Sequence, residues 1–245
     1  MHHANALLAL RAGKPVLVEK AFTMNAGEAE ELVSVARAEG LFLMEAMWTR
    51  FLPHIAKIRG LLAQGALGDI VTITADHGQW FAQDPEFRLF APELGGGALL
   101  DLGVYPVSFA SMVLGKPDRI VTLVDPAFTG VDGQTSMLFG YAGGAQAVLT
   151  CTLFAKSPTR AAIVGTEARI EIDDAFYSPT SFTLISRTGK RTHFDEPHEG
   201  RGLRHQADEF ARCLCEGLLE SPLMPLDETV SIMQTMDAVL AQASS

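Results

Sequence analysis

Cysteine is scarce in this chain. Cys151, Cys213 and Cys215 are the three in 245 residues, too few and wrongly spaced for a disulfide framework or a zinc site. That usage fits reduced thiols in a cytoplasmic protein. Basic residues are also thin, 19 Lys and Arg against 29 Asp and Glu for a net charge of −10. That charge argues against a nucleic-acid-binding surface, and no Lys/Arg cluster contradicts it. No apolar stretch is long enough to cross a membrane without interruption, and the first residues lack a basic-then-apolar signal pattern. Internal repeats and low-complexity segments are absent too. What remains is a globular balance, 48% hydrophobic and 20% charged, with enough chain for one or two domains.

The N-terminal part alternates. Asn5 to Gly13 has a helical pattern closed by glycine, and Val16-Leu17-Val18 reads as a short strand ending at Glu19-Lys20. Asn25 with Glu28 three residues later is a capping-box pattern, opening a helix that runs to Gly40. A second apolar run, Leu41 to Met44, follows. Helix, strand, helix, strand is how a parallel sheet is assembled, and two strands are too few to bury its faces. Lys20 follows the carboxyl end of the first strand, where ligands bind in open α/β sheets. It reads either as a group for a reacting oxygen or as a surface lysine capping a turn.

The stretch Gly95 to Pro106, GGGALLDLGVYP, organises the rest. Three glycines cannot sit inside a stable helix or strand, and they permit close approach of another group. The run from Ala98 to Leu114 is apolar on nearly every side, as a buried helix is. Asp101 and Tyr105 interrupt it four residues apart, on one helical face. They read either as a core phenol bonded to a nearby carboxylate or as a proton-transfer tyrosine oriented by aspartate.

Between these regions, Trp48-Thr49-Arg50-Phe51 suits a pocket wall, a phosphate contact or packing between domains, and Ile55 to Leu62 is helical in period. Ile70 to Ala75 reads as a strand running towards His77, Trp80 and Phe81. After the central helix the period changes to two. Strands are expected at Arg119–Val124, Thr135–Tyr141, Ala145–Phe154, Thr159–Val164, Ala168–Ile172, Ser181–Ser186 and Lys190–Phe194. Gly143-Gly144 marks a hairpin, and short turns between consecutive strands make an antiparallel sheet. Helical spacing returns at Leu203–Leu219 and Leu226–Leu240, with Asp227 as an expected N-cap after Pro225. The expected fold is α/β plus α+β: a partial Rossmann-type parallel βα segment, residues 1–46, then a domain, 47–245, with a large, mainly antiparallel open sheet backed by helices.

Val16–Lys20 with Ala21-Phe22, the Trp48–Phe51 segment and Arg88 through Pro106 together resemble the glucose–fructose oxidoreductase/inositol dehydrogenase (Gfo/Idh/MocA) family. The branch most similar holds the dimeric dihydrodiol dehydrogenases and the NADP-linked D-xylose 1-dehydrogenases. The resemblance implies hydride transfer between NADP (or NAD) and a CH–OH group of a sugar or dihydrodiol. It implies Lys20, Asp101 and Tyr105 as the catalytic set, with Gly95, Gly96 and Gly97 opening the motif. His2, Glu19, Lys20, Trp48 and Arg50 are implied at the cofactor, and Trp80, Phe81, Arg88 and Gly97 at the substrate pocket. The family's Glu-Lys-Pro motif reads Glu19-Lys20-Ala21 here. No G-x-G-x-x-G/A phosphate-binding turn occurs in the chain, so the sequence is expected to start within the second half of the nucleotide-binding domain. The expected partners are a small sugar or diol and a second copy of the chain meeting through the antiparallel sheet, with no nucleic acid and no membrane. The alternative is a non-catalytic or ligand-sensing homologue that keeps the sheet.

Overall fold

In the computed structural model, which describes residues 1–198 and 200–243, the N-terminal alternation is present. Helix α1 (His2–Arg11) leads into β1 (Val16–Glu19), α2 (Ala26–Glu39) and β2 (Leu43–Ala46). The two strands pair in parallel, Val16 opposite Leu43 and Glu19 opposite Ala46. Asn25 caps α2 by accepting the Glu28 N–H at 3.0 Å, and the Glu28 carboxylate returns to the Met24 N–H at 3.1 Å. The second strand starts two residues later than the apolar run suggests. The Leu41 N–H is still bonded to the Ala36 carbonyl, closing α2 around left-handed Gly40.

A short 3-10 turn, Trp48–Phe51, joins β2 to α3 (Pro53–Ala63). Then comes β3 (Ile70–Gly78). The central helix does not begin as an α-helix. Leu99–Gly103 is a π turn, and α4 (Val104–Leu114) continues from it. Strands β4 (Arg119–Pro126), β5 (Asp132–Gly140), β6 (Gln146–Thr152), β7 (Ala161–Gly165), β8 (Ala168–Ile172), β9 (Phe182–Ser186) and β10 (Arg191–Phe194) follow, then α5 (Arg204–Cys215) and α6 (Leu226–Ala243). Asp227 is not the cap of α6. It lies in the helix's first turn and its carboxylate pairs with Arg37 at 2.8 Å.

The large sheet has the order β10-β9-β8-β7-β3-β6-β5-β4. All its pairs are antiparallel except β3–β6. That one parallel pair arises because β3 inserts between β6 and β7, with the whole central helix intervening in sequence. Alternation then sorts the residues. Ile73, Ala75 and His77 on β3, Met137 and Phe139 on β5, and Ala147, Leu149 and Cys151 on β6 are buried on the helical side. Val121 and Leu123 on β4, Leu138 on β5 and Val148 on β6 are exposed on the other. The π turn and α4 pack on β3 and β6, and α6 covers β4 and α4.

Pro92–Leu114 is long and apolar enough to cross a membrane by length and composition, a candidate that reading the sequence excluded. Its most apolar stretch has a mean hydropathy of 1.5 and is 67% buried inside the protein, as the core helix of this fold.

Candidate active site

Lys20 leaves the carboxyl end of β1 at a cis peptide with Ala21. Its ammonium donates to the Asp101 backbone carbonyl at 2.8 Å and to Asp101 Oδ1 at 3.0 Å. The same Oδ1 accepts from Arg88, also at 3.0 Å, so one carboxylate oxygen joins two cations. Lys20 Nζ lies 5.1 Å from the centroid of the Tyr105 ring, within cation–π range. An amine from the end of β1 therefore meets a carboxylate and a phenol that lie four residues apart on the central helical segment.

Asp101 and Tyr105 do not bond to each other, as a core pair would. The Tyr105 hydroxyl oxygen instead accepts the indole N–H of Trp48 at 3.1 Å. Among the described residues its own proton has no acceptor, so it is available to a ligand oxygen. Burial raises the phenol above its ordinary range, with the Trp48 N–H pulling the other way. Burial would raise Asp101 too, but Lys20 and Arg88 prevail and hold its carboxyl below the usual range.

A cleft of about 260 Å³ opens onto the Lys20–Asp101–Arg88 side of this group, lined by His2, Lys20, Met24, Arg88, Leu100 and Asp101 among others, with Tyr105 set behind its lining. The His2 Nδ1 is 2.8 Å from the Ala21 carbonyl, which fixes the ring at the cleft wall. The lining combines fixed donors with apolar Met24, Leu94 and Leu100. That donor set fits a flat, polar-edged ring such as a nicotinamide.

Behind the phenol lies an aromatic wall that the sequence reading missed. Tyr177, from the β8–β9 connection, stacks on His77 at 4.4 Å and approaches Tyr105 at 4.7 Å and Trp48 at 6.0 Å, centroid to centroid. Gln79 Nε2 lies 3.0 Å from His77 Nε2. Burial lowers His77 to about 4, so the imidazole is neutral at physiological pH. Its signal was the inward register at the end of β3. Tyr177 had no signal, since nothing in the sequence ties that loop to the central helix.

Several expected site residues lie elsewhere. Arg50 is 2% exposed and donates to Ser108 Oγ at 3.0 Å, the Ser108 carbonyl at 2.8 Å and Glu228 at 2.5 Å. This corrects the expectation of a cofactor contact, because its guanidinium is spent inside the protein. Trp80 is 68% exposed to solvent. Phe81 packs on Phe87, in a line of rings leading through Phe90 to Phe128. Glu19 is an exposed strand end outside the cleft lining. Gly97 does not face the cleft either: with φ +119°, it lies against the Asp132 carboxylate, where a Cβ would collide.

Comparison with known proteins places these features in context. Residues 55–171 match the GFO/IDH/MocA C-terminal domain. The chain is 40% identical to trans-1,2-dihydrobenzene-1,2-diol dehydrogenase from Xenopus tropicalis, over 99% of this chain and 75% of that one. The human protein of the same name is 36% identical over 97% of this chain and 73% of its own. Among solved structures, aldose-aldose oxidoreductase from Caulobacter crescentus, complexed with glycerol, superposes with a TM-score of 0.88 at 24% identity, covering 99% of this chain and 74% of that one. A 3-ketoreductase from Actinomadura kijaniata, in complex with NADP and TDP-benzene, gives 0.85 at 26% identity, covering 98% and 74%.

Proposed function

The chain belongs to the Gfo/Idh/MocA family of NAD(P)-dependent oxidoreductases, and on that premise we propose that Tyr105 exchanges the hydroxyl proton of a dihydrodiol or sugar bound beside Lys20 and Asp101. Bound NADP supplies the hydride acceptor or donor. Lys20, His2 and the apolar wall of Met24 and Leu100 would hold its nicotinamide end. Residues 1–46 are read as the cofactor-facing layer and residues 47–245 as the substrate and dimerisation domain.

The uncommitted O–H of Tyr105, beside a lysine ammonium, carries this reading. In the reductive direction the phenol gives its proton to the oxygen developing negative charge. In the oxidative direction it must surrender that proton first. Burial and the Asp101 charge hold that proton on, and the ammonium 5.1 Å from the ring offsets part of that cost. Asp101 keeps Lys20 aimed, and Arg88, with an exposed guanidinium, is placed to bond a second hydroxyl of the substrate. Trp48, neutral His77 and Tyr177 keep water from the phenol. A wall of that kind suits the flat, half-apolar ring of a dihydrodiol better than a hydroxyl-rich sugar. The relatives named trans-1,2-dihydrobenzene-1,2-diol dehydrogenase support this choice.

Tyr105→Phe tests the assignment. Turnover should fall on the order of 10²-fold or more, with NADPH binding, followed by its fluorescence, unchanged. Wild-type turnover in that variant would overturn it.

A second copy of the chain is the proposed macromolecular partner. Val121, Leu123, Leu138 and Val148 make an exposed apolar row across β4, β5 and β6, with Leu123 75% exposed. Leu123→Lys should shift the dimer towards monomer in sedimentation, and an unchanged dimer would exclude this face. The free thiols Cys151, Cys213 and Cys215 accord with a reducing compartment such as the cytoplasm.

A further inference from the structure

One buried carboxylate lies directly under the catalytic helix and takes no part in the mechanism just described. Asp132 opens β5, and its Oδ2 accepts the Leu99 N–H at 2.6 Å and the Thr135 hydroxyl at 3.2 Å. Gly97, lacking a side chain, lets the carboxylate lie flush beneath the glycine run. Leu99 is the first residue of the π turn and Asp101 the third, with Tyr105 just beyond its end. The first N–H groups of a helical segment find no partner within it. A π turn is also a rare arrangement, found mostly as a single turn and frequently at functional sites. Here the outside partner comes from the large sheet, some 30 residues away in sequence.

We propose that Asp132 is a positioning residue: by tying Leu99 to β5 it holds the π turn at the rotation that brings Asp101 to Lys20 and Tyr105 to Trp48. The proposal rests on the roles assigned above to Lys20, Asp101 and Tyr105.

The tie depends on charge. Burial pushes Asp132 up to about 6, against the pull of the Leu99 N–H and the Thr135 hydroxyl. The titratable group facing it is the Cys151 thiol on β6, which burial and the Asp132 charge hold well above its ordinary value. Cys151 therefore stays neutral while Asp132 changes charge. An anion at the start of a helical segment is favourable, and a protonated carboxyl is the weaker acceptor.

Amide hydrogen exchange at residues 99–103 of the full chain tests this, alongside NADP-linked turnover. Asp132→Asn keeps an acceptor, and Asp132→Ala removes it. Protection of the Leu99 amide should run wild type, then Asn, then Ala, the last reduced roughly 10-fold or more. Turnover should follow the same order, with kcat in the Ala variant down by on the order of 10²-fold and the KM for NADP moving far less. Protection in the wild type should also drop between about pH 7 and about pH 5, while the Asn variant shows no such drop. An Ala variant with wild-type protection and wild-type kcat overturns the proposal. Should that variant fail to fold, wild-type protection that is equal at both pH values overturns it. A Tyr105→Phe enzyme with full turnover would remove the underlying reading and leave the exchange result standing. An inactive Tyr105→Phe beside a fully active Asp132→Ala would remove the positioning role alone.

Discussion

Lys20 and Arg50 each lie a short way past the end of a parallel strand, β1 and β2, and each finds a carboxylate partner. Around Lys20 the partners are Asp101 and, through its Oδ1, Arg88, at the wall of a cleft and beside a phenol with a free proton. Around Arg50 they are Ser108 and Glu228, with Ser111 also donating to Glu228 at 2.8 Å and Glu45 sealed beneath. The first cluster is open on one side and its charges can answer a ligand. The second spans β2, α4 and α6, and the Nε and one terminal nitrogen of Arg50 are taken by acceptors inside the protein. A charged side chain at a strand end is thus not a site by position alone. What decides is whether its hydrogen bonds are already satisfied within the protein.

Substitution should separate the two. Arg50→Met leaves Glu228 without its cation in a partly buried position, and losing one partner of a buried pair typically costs about 3–5 kcal/mol. The expected result is a large drop in unfolding free energy, read by urea titration, with any activity loss tracking the unfolded fraction. Lys20→Met should do the reverse. Turnover should fall on the order of 10²-fold, with the urea midpoint close to wild type because Arg88 still pairs with Asp101. A Lys20→Met protein that unfolds early but turns over normally would erase the distinction.

The parallel βα start, the central helix and the strand-rich second half were legible because hydrophobic period and turn residues are local signals. Gly143-Gly144 does join β5 to β6, and Asn25 does cap α2. Lys20, Asp101 and Tyr105 were legible as polar residues interrupting apolar surroundings. The π turn was not, since the period of an all-round apolar run does not reveal whether a turn holds an extra residue. The parallel β3–β6 pair also escaped, because strand order in a sheet is a long-range choice. Arg50 was misplaced for a related reason: its partners, Ser108 and Glu228, are 58 and 178 residues away. His77 and Tyr177 join the site only once the sheet has brought their strands and loops to the helix.

The two clusters should also respond to pH with opposite signs. Asp101 is held below its ordinary value by Lys20 and Arg88. It contributes stability above the unfolded carboxyl range, and that contribution is lost as pH falls through its depressed folded value. Glu45 is the reverse. Burial pushes it up to about 7, against the Thr229 hydroxyl and the Arg50 charge. Between its ordinary value of 4.5 and about 7, the folded chain holds a proton at Glu45 that the unfolded chain has released. Stability therefore falls as pH rises through that window and levels off above it, with a slope of at most about 1.4 kcal/mol per pH unit. Asp132, raised to about 6, acts with the same sign over part of the window. The Glu45 share is accordingly the difference between wild type and Glu45→Gln in urea unfolding at successive pH values. The Gln variant should be flatter across the window and gain most at its upper end, where wild-type Glu45 has lost its proton. Parallel curves for the two proteins would mean that Glu45 stays ionised in its buried position, and the Arg50 cluster would then behave towards protons as the open one does.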